Sequence, residues 1–487
     1  MFTFRPALPR RRAAAAALGA VLAATACARN PVTGRNQLSL ISRDQEIALG
    51  RQAAQEVAQS IGLVADETLQ SYVQRLGADL AADSERPDLP WSFRVVDDPT
   101  PNAFALPGGF IFVTRGLLNL MDSEAELASV LGHEIGHVTA KHGVTALSRQ
   151  QVTQLGLGLG AVLSPTIARY GELASTGLGL LFLKYGRDAE NQADQLGFKY
   201  ALGEGYDVRE MADVFRALAR QSEASGQSPL PTWLASHPYP AERIEATEKR
   251  IAALDRPLST LREGEAEFMA RVDGLVYGEN PRNGFFQNSV FVHPELRFTL
   301  AFPRGWRAQN LTETVVAVSP EQDAVMQLTL AQQASPDEAV RQFLSQQGLQ
   351  AAQPTRASIN GLPAVSSYFQ AQTEQGVIRG LATFLSYGGR TYQLLSYAPA
   401  ERFAQYDALL QQSAGSFSAL TDPQALAIQP NRIDVVRLDR AMTLGAFAQR
   451  YPSVVPIAEL ALINQVADAS SSIPAGALVK QVVRGSR

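Results

Sequence analysis

Between residues 124 and 143, apolar side chains recur at Leu127, Val130, Leu131, Ile135 and Val138, a spacing that predicts a helix with a buried face. Ser123 and Glu126 precede that run as a capping-box pair. Glu124 and Glu126 suit the positive end of the helix dipole, and Gly143 offers a stop. Helical periodicity also begins near Asp44, runs through Ile47, Val57 and Ile61, and returns from Glu67 to Leu80. Pro87, Pro90 and Pro99 mark loops around a short strand at Ser92–Val96. Gly108-Gly109 then leads into the β-rich run Phe110, Ile111, Phe112, Val113 and Thr114, which predicts a tight turn followed by a strand. Between Leu155 and Leu183 a glycine-rich apolar stretch is broken by Pro165, Arg169 and Glu172. The breaks argue against a membrane span and leave two readings, core-packing helices or a cover over a cleft.

From about Gly284 the pattern changes to alternating strands, at Arg297–Pro303, Ala324–Leu330, Ala364–Gln370, Ile378–Ser386 and Thr391–Tyr397. Helices are predicted from Ser335 and over Ala400–Ser413, with a turn at Ile359-Asn360-Gly361-Leu362-Pro363. No cysteine or clustered carboxylate falls here, so chemistry is not expected of this region. After Pro423 and Pro430 a smaller β-α-α-β outline follows, with strands at Ile433–Arg437 and Ile473–Lys480 around helices at Thr443–Tyr451 and Leu460–Asn464.

Composition narrows the class. The chain has 487 residues, enough for two to four domains, and 46% hydrophobic content is ordinary for a globular core. A net charge of −4 leaves no nucleic-acid footprint. A single cysteine rules out an internal disulfide framework and a cysteine-rich metal site. That cysteine, Cys27, follows Arg10-Arg11-Arg12, an apolar run from Ala13 to Ala26, and the small residues Ala24-Thr25-Ala26. The run is well short of the ~20 residues that span a bilayer, so it reads as an export signal. Cys27 is then either the lipidated first residue of a bacterial lipoprotein or the neighbour of a conventional cut near Ala26. Ala28 after the cysteine would suit outer-membrane sorting.

The chemistry lies in Leu131-Gly132-His133-Glu134-Ile135-Gly136-His137, an H-E-x-x-H motif on the predicted helix. Residues four apart on a helix stand about 40° from each other, so His133 and His137 can share one ion. Glu134 lies beside them, placed to take a proton from a water as general base. A hydrolytic zinc site needs a third protein ligand. His142, five residues past His137, points away from the ligand face and is a poor choice. Glu190 on the next predicted helix, with Asp194 four residues on, supplies the missing carboxylate. Asp194 then fixes the tautomer of His133 from behind.

The H-E-x-x-H, the E-x-x-A-D-x-x-G from Glu190 to Gly197, the upstream Asn102-Ala103 with Pro107-Gly108-Gly109, and the later His237-Pro238 resemble the zinc peptidase family of the CAAX prenyl protease and HtpX. With Cys27 followed by Asn30-Pro31-Val32-Thr33-Gly34, the chain looks most like that family's exported lipoprotein branch. The resemblance implies His133, His137 and Glu190 as metal ligands for one Zn2+ per chain and Glu134 as catalytic base. It also implies a functional role for His237, either stabilising the oxyanion or occupying the fourth metal position; a start-of-helix histidine with no catalytic part is the third reading. Arg243 is expected to be a structural ion-pair partner. The strand Phe110, Ile111, Phe112, Val113 is expected to be the edge that an extended substrate joins. The later regions resemble PsbP/Mog1-like α+β domains and a LysM module.

The chain is thus expected to be an α+β multidomain protein. Its parts are a signal peptide (1–26), a tether (27–43), a mainly helical zincin domain of gluzincin type with a small edge sheet (44–256), a linker (257–283), an α+β accessory domain (284–422) and a LysM-like module (430–484). The expected function is a zinc-dependent endopeptidase of the bacterial envelope, clearing misfolded or unassembled proteins. Periplasmic location, a membrane anchor through lipid on Cys27, and peptidoglycan as a partner of the LysM-like module go with it. The rival is a latent or inactive metal-binding scaffold tethered through its C-terminal modules.

Overall fold

A computed structural model describes residues 27–156, 183–224, 233–311, 314–373 and 376–485. The predicted signal peptide, and residues 157–182 of the glycine-rich stretch, lie outside the described residues. The chain divides into two compact units. One joins the N-terminal region through Leu275 with Ile433–Val483; the other is formed mainly by Val276–Arg432.

The first unit is built around the helix Glu124–Thr139. Ser123 Oγ accepts from Glu126 N while the Glu126 carboxylate accepts from Ser123 N, so both halves of the capping box form. The apolar periodicity predicts one buried face, yet every residue of this helix is buried. Helices Glu67–Ala82, Arg187–Gly203, Glu210–Ala224 and Glu265–Val272 pack around it, together with a small sheet. The approach of Arg187–Gly203 depends on glycine: a Cβ on Gly197 would lie 2.7 Å from His133 N, and one on Gly136 would lie 3.0 Å from Ala193 O. With hydrogens at those points the two backbones come almost into contact.

The sheet runs in the order Ser92–Val96, Phe110–Thr114, Ala103–Leu106. This corrects the expected substrate edge. Phe110, Ile111, Phe112 and Val113 form the central strand, paired parallel on one side and antiparallel on the other, so both edges are filled. The outer strand beside the motif helix is Ala103–Leu106, whose far edge carries no strand partner among the described residues.

The segment expected to be a tether is built into this unit. Cys27–Arg29 pairs with Asn36–Leu38 as a hairpin, and Asn30 is buried. The C-terminal segment Ile433–Val483 also belongs here. Helices Leu444–Arg450 and Ile457–Ile463 lie between the paired strands Asn431–Arg437 and Leu478–Arg484, with a short bridge of Met442–Thr443 to Ser472–Ile473. The expected last strand is split by a turn at Pro474–Ala477, where Gly476 has φ 86°.

In the second unit an antiparallel sheet runs Arg307–Asn310, Thr314–Val318, Val325–Ala331, Arg390–Pro399, Gly376–Tyr387, Leu362–Thr373, Leu349–Ala351, with Thr355–Ile359 also on Leu362–Thr373. Alternating side chains let both faces be covered. Helix Phe403–Gly415 packs on Leu381, Leu385 and Leu394, and helix Pro336–Leu344 on Val365, Phe369 and Phe384. The hairpin at Ile359–Leu362 turns through Asn360 (φ 49°) and Gly361 (φ 84°), the left-handed pair that a two-residue loop requires.

Candidate active site

His133 and His137 stand one turn apart on the buried helix, and their Nε2 atoms are 3.0 Å apart. From the adjacent helix Arg187–Gly203, Glu190 brings Oε2 to 3.6 Å from His133 Nε2 and Oε1 to 3.6 Å from His137 Nε2. His237, entering from the short turn after Trp233–Ser236, places Nδ1 3.2 Å from both His133 Nε2 and Glu190 Oε1. These four residues offer ligand atoms that all lie within 4.8 Å of one another.

The donor set fits zinc on its own chemistry. Two nitrogens bound to one tetrahedral zinc at about 2.0–2.1 Å would lie roughly 3.3 Å apart, close to the separations found here. Glu190 is 1% exposed, and its Oε2 has no hydrogen-bond partner among the described residues, although the Arg243 guanidinium lies 3.3 Å away as an ion-pair neighbour. A buried carboxylate that turns Oε2 toward His133 Nε2 and Oε1 toward His137 Nε2, with Oε2 lacking a hydrogen bond, is an unfinished arrangement that a cation completes.

The cluster is held from behind. His133 Nδ1–H donates to Asp194 Oδ1 at 2.8 Å, leaving its Nε2 lone pair toward the cluster. Arg243 clamps Asp194 from the other side, Nε to Oδ2 at 2.8 Å and Nη2 to Oδ1 at 2.6 Å. Its guanidinium lies between Phe215 and Trp233, 4.2 and 4.4 Å from the ring centroids. Burial alone would raise the Asp194 carboxyl, but Arg243 and His133 outweigh it and hold it well below the usual carboxylate range. Glu190 is likewise lowered against its burial, by His237, His133 and Arg243. His137 is driven well below the usual imidazole value, by burial first and then by the neighbouring imidazoles. His237 moves the other way: burial lowers it, yet Glu190 and Glu134 raise it overall.

Glu134 is 1% exposed. Its Oε1 accepts from Trp233 Nε1–H at 3.3 Å, while Oε2 has no hydrogen-bond partner among the described residues. Trp233 also stacks on His237 with centroids 4.8 Å apart. Nothing in the sequence marked Trp233, since a lone aromatic reads as core. Tyr185 lies over His137, with ring centroids 4.1 Å apart, and burial raises its phenol first, followed by Glu134 and Glu190. Cys27 sits in the N-terminal hairpin, outside this cluster.

An H-E-x-x-H helix that meets a glutamate from a neighbouring helix is the donor pattern of a zinc metallopeptidase centre. Residues 67–251 match Peptidase family M48, and the chain carries a zinc metallopeptidase domain of that family. It is 32% identical over 231 residues to the beta-barrel assembly-enhancing protease of Yersinia pestis, covering 45% of this chain and 46% of that one. It is 31% identical over 227 residues to the mitochondrial metalloendopeptidase OMA1 of Schizosaccharomyces pombe, covering 45% of this chain and 65% of that relative. The chain therefore spans about half the length of the Yersinia relative. A cyanobacterial PsbP solution structure from Synechocystis covers 28% of this chain and 94% of its own, at 14% identity and a TM-score of 0.24, too low to fix a fold. Among the described residues no helix is long and apolar enough to cross a membrane.

Proposed function

We propose that the chain is a zinc-dependent endopeptidase of the bacterial cell envelope, cleaving misfolded or unassembled proteins. The observation that carries this reading is Glu134, buried beside the two-histidine, one-glutamate cluster with one oxygen fixed and one without a hydrogen-bond partner among the described residues. Zinc held by His133, His137 and Glu190 would polarise a substrate carbonyl and make a water acidic enough to attack it near neutral pH. Glu134 Oε2 takes the proton released in that attack and passes it to the leaving amine. An extended substrate joins the outer strand Ala103–Leu106 through main-chain hydrogen bonds, which demand little of its side chains and suit unfolded polypeptide.

His237 has Nδ1 among the ligand atoms and Nε2 3.5 Å from Glu134 Oε1. That placement supports a resting state in which His237 fills the cluster until substrate displaces it. It is also the observation that favours the second reading, a latent metal-binding scaffold. The name of the Yersinia relative, a beta-barrel assembly-enhancing protease, supports unassembled β-barrel proteins as substrates. Export, a lipid anchor on Cys27, a periplasmic site at the outer membrane, a PsbP-like accessory domain and peptidoglycan binding by a LysM-like segment complete the proposal.

The test is casein cleavage by the full chain with zinc content measured alongside. Glu134→Gln should retain about one zinc per chain and lose cleavage by a factor on the order of a hundred or more. Cleavage undiminished in that variant refutes the role of Glu134. A zinc-loaded wild type that cleaves nothing favours the scaffold.

A further inference from the structure

We infer that His142 and Gln192 are positioning residues that fix the tautomer of His137, so that this ligand presents Nε2 to the metal. The inference rests on the zinc-site reading above and concerns the side of the site away from Asp194.

His137 Nε2 is the atom that faces His133 Nε2 and Glu190 Oε1. A lone pair at Nε2 leaves the one ring proton of a neutral imidazole on Nδ1. That N–H is buried, and a buried donor needs an acceptor. The atom in place is His142 Nδ1, 3.0 Å away. To accept, His142 must keep its own proton on Nε2, and Nε2 lies 3.0 Å from Gln192 Oε1. Only one direction of donation is then consistent with metal binding: His137 Nδ1–H to His142 Nδ1, and His142 Nε2–H to Gln192 Oε1. Gln192 stands two residues after Glu190 on the same helix, so the relay also ties the third ligand's helix to the second ligand's ring.

A local break in the chain makes this possible. On a continuous helix a residue five positions on would be turned about 140° away from His137. The motif helix instead ends at Thr139, Lys141 takes φ 61°, and a new helix starts at His142. The left-handed residue swings His142 back over His137, at a ring-centroid distance of 5.0 Å with the planes at 74°. The two histidine ligands are therefore backed differently, His133 by a carboxylate and His137 by a neutral imidazole–amide pair.

The experiment uses the full chain. Zinc dissociation constants are measured by competition with a chromophoric chelator for wild type, His142→Ala, His142→Asn and Gln192→Leu, with urea unfolding of each metal-free chain. The tautomer of His137 is read directly in wild type by proton–nitrogen NMR of the imidazole rings. The expected result is a proton on Nδ1 of His137, and zinc binding weakened about 10–100-fold in His142→Ala. Recovery is expected in His142→Asn, whose side-chain oxygen can accept from His137, and a smaller loss in Gln192→Leu. A proton on Nε2, or His142→Ala binding zinc as tightly as wild type, overturns the inference. Equal weakening in the Ala and Asn variants also overturns it, because only volume would then matter. Failure of the wild type itself to bind zinc would instead sink the underlying reading.

Discussion

Replacing Gly197 with alanine is the sharpest mechanical test of the site. The added Cβ would meet His133 N at 2.7 Å, Gly132 C at 3.0 Å and His133 Cα at 3.0 Å. Ordinary contact begins near 3.4 Å, so the overlap is about 0.7 Å, and it is against backbone that has no rotamer to change. The two helices must part by a comparable distance at their crossing, and overpacking of this kind typically costs about 1–3 kcal/mol. The functional effect should be larger than that figure suggests. Glu190 and Asp194 ride on the displaced helix, whereas His133 and His137 stay on the other, and sites of this sort tolerate only about 0.5 Å of error. Gly203 on the same helix is the control: a Cβ there meets nothing closer than Asp83 Oδ2 at 3.6 Å, and alanine should add up to about 1 kcal/mol of helix preference. Urea unfolding and zinc competition on both variants give the readout. Gly197→Ala is expected to be less stable and to bind zinc at least about tenfold more weakly, with Gly203→Ala matching or exceeding wild type. Equal behaviour of the two alanine variants would refute the claim that close helix approach assembles the site.

Lys480→Met should lower stability by about 3–5 kcal/mol, read as a shift of the urea midpoint, because Lys480 is fully buried and its loss strands the carbonyls of Asn119 and Met121 and the Asp122 carboxylate. A midpoint within error of wild type would show that this contact is not needed to hold the start of the motif helix. Trp233→Phe keeps a ring to stack on His237 but removes the N–H that anchors Glu134 Oε1. It should lower kcat by about tenfold with KM and zinc content unchanged, and an unchanged kcat would show that the indole does not orient the base.

What the sequence made legible was what local chemistry decides. The Ser123–Glu126 capping box, the four-residue spacing of His133 and His137, and the Glu190–Asp194 pair each specify a geometry within one or two turns. The alternation in Ala324–Leu330 and Ala364–Gln370 likewise reads directly as strands. The misplaced substrate edge had a signal that was passed over. Phe110-Ile111-Phe112-Val113 does not alternate, and an unbroken apolar run marks a strand buried on both faces, usually in the middle of a sheet. His142 stays outside the ligand cluster, as its five-residue spacing suggests, but its contact with His137 was not legible, because periodicity assumes a continuous helix and nothing in the Thr139–Lys141 sequence announces a left-handed residue. Trp233 and Lys480 left no trace, since their partners lie 99 and more than 350 residues away.

These long-range contacts share a purpose that the geometry of the motif helix explains. His137 sits in the last turn of its helix, where carbonyls lack intrahelical partners and the chain tends to fray. A residue proposed to hold a metal needs that turn fixed. Here the turn is held by groups from elsewhere. Asn30 Nδ2 donates to Ala140 O at 3.1 Å, Arg86 Nη1 donates to Val138 O at 3.0 Å, and Arg86 is itself fixed by Glu46 at 2.8 and 2.9 Å. Donors at this end also oppose the negative pole of the helix dipole. At the other end Lys480 holds the Asn119 and Met121 carbonyls, and Gln465 donates to Leu120 O and to the capping residue Glu126. The residues around Asn30 and the C-terminal β-α-α-β segment, which look like a tether and an appendage in the sequence, therefore act on the two ends of the one helix whose position the chemistry depends on. By fixing both ends they hold His133, Glu134 and His137 in register with Glu190.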